Sequence, residues 1–235
     1  HLDAADELAS FRELFHILKH NGKDVVYLTG NSLGLQPKST RAYIETELKD
    51  WETHGVEGHF RGTNPWFGYH HMFEEPLAKI VGALPHEVAV MNTLSTNLHF
   101  LMVSFYRPTK EKYKIIMEGG AFPSDQYAVE SQVKFHGYKP TEAIIELTPK
   151  GDSKTLTTQD ILAKIEEHKD SLALVLLGGV NYYTGQFFNL KTITEKAHEV
   201  GAMAGYDLAH AAGNINLKLH DWKVDFATWC SYKYL

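Results

Sequence analysis

Cysteine is almost missing from this chain: of 235 residues only Cys230 carries a thiol. One thiol excludes an internal disulfide, so burial of apolar surface must hold the fold, and such usage fits a reducing, cytoplasmic setting. Positive charge is short as well. Lys and Arg number 23 against 29 Asp and Glu, a formal charge of −6, and the cations are scattered among acids. The basic stripe that grips nucleic-acid phosphates is therefore lacking. No apolar run approaches the roughly 20 residues of a membrane-spanning helix. The opening HLDAADELAS lacks the charged-then-apolar layout of a signal peptide. Neither nucleic acid nor membrane is expected as a partner. Repeats and low-complexity tracts are also wanting. What remains, 43% hydrophobic and 22% charged, is the composition of a soluble globular α/β protein with a sizeable core.

Histidine is abundant, with fourteen residues. His16 and His20 share a helical spacing, but no Glu stands where the zinc-protease motif needs it and no cysteine pair supports them. No metal site is expected.

Apolar residues recur at three- and four-residue steps over 4–19, 38–53, 67–82, 96–106, 124–137, 157–169 and 191–200, which predicts helices there. Strands are predicted at 25–28, 87–91, 113–118, 143–147, 172–178, 202–207 and 225–230. Regular alternation predicts an α/β fold with a mostly parallel sheet and helices on both faces. One domain is the simplest reading. Because the alternation begins near residue 87, residues 1–86 are set apart as an N-terminal helical segment and entry, and 87–235 as the main unit. The chain stops after DFATWCSYKYL, which reads as a truncation at a strand end. Open parallel sheets place ligands beyond the carboxyl ends of their strands.

Four stretches could carry chemistry there. In MNTLSTNLH a β-type run gives way to a helix, and the free N–H groups around Leu94 and Ser95 could seat a phosphate or serve as an ordinary N-cap. In GGAFPSDQY, Phe122 could stack on a flat heterocycle while Asp125 caps the helix or reaches a ligand; a buried Phe beside a cap is the plain alternative. Asp207 in YDLAHAAG could hold a proton on a pyridine nitrogen, or cap the next turn, with His210 three residues on. Lys233, 26 positions after Asp207, could form a covalent link to an aldehyde, or be a solvated lysine; Tyr232 beside it could donate to a phosphate.

In that order, these pieces resemble the fold-type-I pyridoxal-phosphate enzymes. The segments YLTGNSLGLQPK, MNTLSTNLH, AFPSDQYAVESQ, YYTGQFF, YDLAHAAGN and HDWKVDFATWCSYKYL, spanning 27–235, narrow the resemblance to the N-terminal part of the kynureninase family. That resemblance implies the large domain of the transferase fold over 87–235, without the C-terminal small domain. It implies pyridoxal 5'-phosphate as cofactor and hydrolysis of L-kynurenine or 3-hydroxykynurenine to anthranilate or 3-hydroxyanthranilate and alanine, by a cytoplasmic homodimer.

The same resemblance implies that Lys233 holds the cofactor and moves the substrate Cα proton, and that Asp207 pairs with the pyridine nitrogen. Phe122 would stack on the ring. Leu94 (through its backbone), Ser95 and Tyr232 would bind phosphate, and Asp125 and His210 would lie around the ring. Tyr183 would transfer a proton at the carbonyl under attack, and Ser32 and His59 would contact substrate. The stretch after the lysine and the small domain, which carry the family's carboxylate-binding arginine and much of its dimer contact, lie outside the resemblance. Two rival readings stand beside it. One is another enzyme of this fold type, such as a cysteine desulfurase, against which Cys230 lies in a predicted strand. The other is an interaction domain that kept the scaffold and lost the reaction.

Overall fold

The computed structural model describes residues 5–235. After a 3-10 turn at Ala9–Leu14 comes a hairpin, β1 (Lys19–His20) and β2 (Lys23–Asp24), paired antiparallel. Asn21 and Gly22 form its two-residue turn with φ of 50° and 74°. Asn-Gly tolerates that left-handed backbone at small cost, and the resulting twist suits a tight hairpin. Helices α1 (Thr40–His54), α2 (His71–Val81) and α3 (Leu94–Phe105) follow.

The alternating unit then runs β3 (Lys114–Glu118), α4 (Pro123–Phe135), the short α5 (Pro140–Ala143), β4 (Ile144–Leu147) and α6 (Thr158–Glu167). It continues through β5 (Leu172–Gly178), α7 (Leu190–Glu199), β6 (Met203–Asp207) and β7 (Phe226–Thr228). The five strands β3 to β7 form one sheet in the order β4-β3-β5-β6-β7, and every pairing is parallel.

Neighbouring residues of a strand point to opposite faces, and both faces of this sheet are covered. Ile116, Val175, Ala204 and Tyr206 face a core completed by Ile161 and Ile165 of α6 and Ile193 and Ala197 of α7. Ala78 and Val81 of α2 join the same core. Ile115, Met117, Leu174 and Leu176 face a second core built with Leu98 and Met102 of α3 and Ala128, Val129 and Val133 of α4. Burial on both sides explains why β5 reads as the unbroken apolar run LALVLLG. The chain leaves β3 for β4 on one side and β5 lies on the other, so the strand order reverses between β3 and β5. Ligands of open α/β sheets bind in the crevice at such a switch point.

Three sequence expectations fail ahead of β3. Over 4–19, whose first residue lies outside the described residues, there is only a 3-10 helix at Ala9–Leu14 followed by extended chain, with Phe15 bridging Pro37. Leu8, Phe11, Leu14 and Leu18 are all more than half exposed, and a short apolar stripe without a surface to pack against does not sustain an α-helix. The run at 25–28 is not a strand, since Val26 and Leu28 are over 80% exposed and join no ladder. At 87–91, Pro85–Glu87 is a 3-10 turn whose Glu87 carboxylate accepts from the Leu84 N–H, and the residues after it pair with no strand. The predicted strand 225–230 shortens to Phe226–Thr228, which leaves Cys230 just past its end.

Candidate active site

The carboxyl ends of β3, β5 and β6 and the turn after β7 enclose a cavity of about 230 Å³. Lys233 enters it from that turn, which the N-terminal segment braces from outside. The Gly34 N–H donates to the Tyr232 carbonyl at 2.7 Å. A Cβ on Gly34 would stand 3.3 Å from the carbonyl oxygens of both Tyr232 and Lys233, so the close approach favours glycine. Inside, Lys233 Nζ lies 3.2 Å from His210 Nε2 and 5.9 Å from the centre of the Phe122 ring. Burial, then the Lys233 charge, pushes the His210 pKa down against the pull of Asp207. A neutral imidazole can accept a hydrogen bond from the ammonium group.

Asp207 ends β6, in register with Gly178 of β5 and Thr228 of β7. Its Oδ1 accepts from the Ala209 N–H at 2.7 Å. Asp125, in the first turn of α4 and 8% exposed, is pushed up to about 9, first by burial and then by the charge of Asp207 and a hydrogen bond shared with it. A shared bond between two carboxyl groups requires one to keep its proton, and Asp125 keeps it. Glu118, the last residue of β3, is raised as well, by burial first, with hydrogen bonds from Asn181 and Gly178 opposing.

Leu94 and Ser95, the first residues of α3, form another wall. Thr93 precedes them with extended backbone and makes no side-chain cap, its hydroxyl instead lying 3.1 Å from that of Thr96. The first turn thus presents uncapped N–H groups and the positive end of the helix dipole, a seat for an anion. Thr228 Oγ1 donates to the Leu94 carbonyl at 3.5 Å, linking this wall to β7.

Leu94, Ser95, Phe122, Asp125, Asp207, His210, Tyr232 and Lys233 all line this one cavity. Tyr183, Ser32 and His59 do not. Tyr183 is 87% exposed and borders a neighbouring cavity of about 370 Å³. Ser32 sits in a turn closed on Thr29. His59 ends a 3-10 helix with its ring edge-on to Trp66, centroids 5.5 Å apart. Two side chains that sequence reasoning passed over belong to the walls, Glu118 and Tyr182. A charged residue closing the otherwise apolar strand IIME was a usable signal for Glu118. Nothing in the doublet Tyr182-Tyr183 indicated which ring turns inward. Tyr182 does, packing edge-on to Phe122 at 5.4 Å and 88°. Among the described residues, His70, His71 and Glu74 bring potential metal ligands within 4.8 Å of one another. They lie at the N-terminal end of α2, where the helix dipole opposes a cation, and His71 already bonds Glu74.

Residues 26–235 match the sequence pattern of the family described as aminotransferase class-V. The chain belongs to that family. Among curated relatives of this class-V chain, the kynureninase of Flavobacterium psychrophilum is 61% identical over 234 residues, covering 100% of the chain and 55% of the relative. That of Koribacter versatilis is 57% identical over 235 residues, with the same coverage. The kynureninase of Nematostella vectensis is 51% identical over 247 residues, covering 100% and 53%. The chain thus spans about half the length of the curated relatives it matches. A solved cysteine desulfurase from Thermococcus onnurineus NA1, in apo form, superposes with a TM-score of 0.66 at 18% identity, over 89% of this chain and 50% of its own. At that identity the likeness establishes a shared fold and nothing finer. Among the described residues no helix is long and apolar enough to cross a membrane.

Proposed function

We propose that this chain forms the cofactor-binding part of a pyridoxal-phosphate enzyme that hydrolyses L-kynurenine or 3-hydroxykynurenine to anthranilate or 3-hydroxyanthranilate and L-alanine. The observation that carries the reading is that Asp207 and Lys233 wall a single cavity in a chain 57–61% identical to several kynureninases. The residues suit the cofactor: an amine for its aldehyde, an acid for its ring nitrogen, an aromatic face for its ring, and a helix N-terminus with Ser95 for its phosphate. When bound, pyridoxal phosphate supplies an aldehyde to the amine and a protonated ring that accepts electrons from the substrate Cα.

In this reading Lys233 would hold the cofactor covalently and would move the substrate Cα proton. Neutral His210 would orient the Lys233 side chain by accepting a hydrogen bond from it. Asp207 keeps the ring nitrogen protonated, since opposite charges at close range favour both charged forms. Protonated Asp125 donates to Asp207 and holds it in place. Leu94, Ser95 and Tyr232 bind phosphate at the positive end of α3, and Phe122 covers a ring face. Tyr183 gives and takes a proton at the ketone as water adds and the Cβ–Cγ bond breaks. Ser32 and His59 contact the substrate. The division at 86/87, a homodimer and a cytoplasmic location belong to the same reading. A desulfurase needs a thiol on a mobile loop, and Cys230 is buried beside β7. A purely structural domain has no use for a lysine facing three acids.

The test is to add pyridoxal phosphate to the full-length protein and assay both substrates. A visible absorbance band lost in Lys233→Ala, with anthranilate or 3-hydroxyanthranilate released, is expected. A band without either product would sink the assigned reaction. Absence of any band would favour the interaction domain. Sedimentation of the same material as a monomer would contradict the homodimer.

A further inference from the structure

Glu118 has no part in the reaction as assigned, yet it is 6% exposed and walls both the Lys233 cavity and its neighbour. Burying a carboxyl beside Asp207 and Asp125 is costly. The surroundings are nevertheless built around it. Gly178, at the end of the adjacent strand, leaves it room, because a Cβ there would stand 3.2 Å from Glu118 Oε2. Asn181 Nδ2 donates to its Oε1 at 3.4 Å.

Asn181 is in turn the hub of a loop. Its Oδ1 accepts from the Tyr183 N–H at 3.0 Å, the Thr184 N–H at 2.8 Å and the Thr184 hydroxyl at 3.0 Å. Its backbone carbonyl accepts from Gly185 and its N–H donates to Gln186, each at 2.9 Å. Val180 bridges Phe187 below, and Gln186 is pinned to the Leu156 backbone through both ends of its amide. The loop is therefore tied internally and at its base, and the Glu118 carboxyl is its hydrogen-bonded link towards the cavity. It carries Tyr182, which abuts Phe122, and Tyr183, which is exposed and borders the neighbouring cavity.

We propose that Glu118 is a positioning residue: through Asn181 it fixes the Asn181–Gln186 loop and so holds Tyr182 in the wall of the Lys233 cavity and Tyr183 in that of the neighbouring one. The inference rests on the proposed function for its catalytic consequence, while the anchoring itself is independent of it. Glu118 touches neither the reacting atoms nor the cofactor in this assignment, and it acts by where it holds the loop.

The test compares Glu118→Ala, Glu118→Gln, Asn181→Ala and the Glu118→Ala/Asn181→Ala double variant in the full-length protein. Two readouts are taken, hydrogen exchange at the Tyr183 and Thr184 amides and turnover with bound cofactor. Loss of a hydrogen bond to a buried carboxyl corresponds to about tenfold. Exchange in Glu118→Ala should rise and turnover fall by about that factor, with pyridoxal-phosphate affinity little changed. Asn181→Ala, which also removes the acceptor of the Tyr183 and Thr184 amides, should show a turnover loss at least as large, and the double variant no more than Asn181→Ala, as expected for two members of one linkage. Glu118→Gln, which keeps an acceptor for Asn181, should recover most of the turnover. Unchanged exchange in Glu118→Ala, additive losses in the double variant, or a Glu118→Gln as defective as Glu118→Ala would each overturn the proposal. If Glu118→Ala does not fold, Asn181→Ala and Glu118→Gln still decide it. A wild type without a cofactor band would defeat the functional reading, and the exchange result would still pass judgement on the anchor.

Discussion

The chain before α2 and the sheet after it are held by different means. Among the described residues ahead of Ala78, only Asp50 and Gly58 are buried, and Leu28, Trp51, Val56, Phe60 and Phe67 stand at least 65% exposed. From β3 onward both faces of the sheet are closed by helices, and core side chains such as Ile115, Ile116, Leu174 and Val175 are at zero exposure. The first region keeps its place through local turns and a few backbone contacts, such as that of Gly34 with Tyr232. The contrast teaches that the cavity around Lys233 is built on the densely packed region, while Ser32 and His59 lie in the exposed one and outside the cavity walls.

Several experiments can break or sharpen this contrast. The largest effect is expected where the rim meets the chemistry. Tyr183→Phe should lower turnover by about 10²–10⁴, the usual worth of a positioned acid or base. Tyr182→Phe keeps the ring that packs on Phe122 and should stay near wild type; the reverse order would place the acting hydroxyl on the inward ring. Next comes stability. Ile116→Ala, in the core, should cost about 2–5 kcal/mol in denaturant unfolding. Leu28→Ala should stay within about 0.5 kcal/mol, as for other exposed positions. A large cost for Leu28→Ala at every protein concentration would mean that the N-terminal segment is integral to the fold of one subunit.

A smaller effect concerns pH. Asp125 titrates near 9 in the folded chain against 3.8 as an isolated group. Its contribution to stability is fully present below about 3.8 and is lost as pH rises through about 9, because the native state then binds the extra proton. His210 has the opposite sign. Its folded pKa is lowered, so its contribution is present above the ordinary histidine range and lost on acidification. Cofactor-free protein unfolded by denaturant from pH 5 to 9 should lose stability towards the alkaline end. Asp125→Asn should flatten that slope; a slope unchanged in the variant would place the shared proton elsewhere.

This division also explains what could be read from the sequence. Helices α1 to α4, α6 and α7 and the strands from β3 onward lie close to their predicted positions, because in a sheet covered on both faces local pattern and tertiary packing agree. Around Val26 and Met91 the same β-type composition yields no strand, since a strand exists through its partner and neither run has one. The residues gathered around Lys233 were legible because they sit in short motifs at strand ends. Glu118 carried a signal as the acid closing IIME, but its place beside Gly178, sixty residues away in sequence (178 − 118), left no local mark. The inward turn of Tyr182 was equally hidden, being set by the Asn181 hub rather than by local spacing.

The central claim is that Lys233, facing Asp207 across one cavity, is the amine that takes the cofactor. Pyridoxal phosphate can be added to the full-length protein, the linkage fixed by borohydride reduction, and the peptides mapped by mass spectrometry. The account predicts that the cofactor mass appears on the peptide containing Lys233 and disappears in Lys233→Ala. Label spread over surface lysines, or retained in Lys233→Ala, would contradict it.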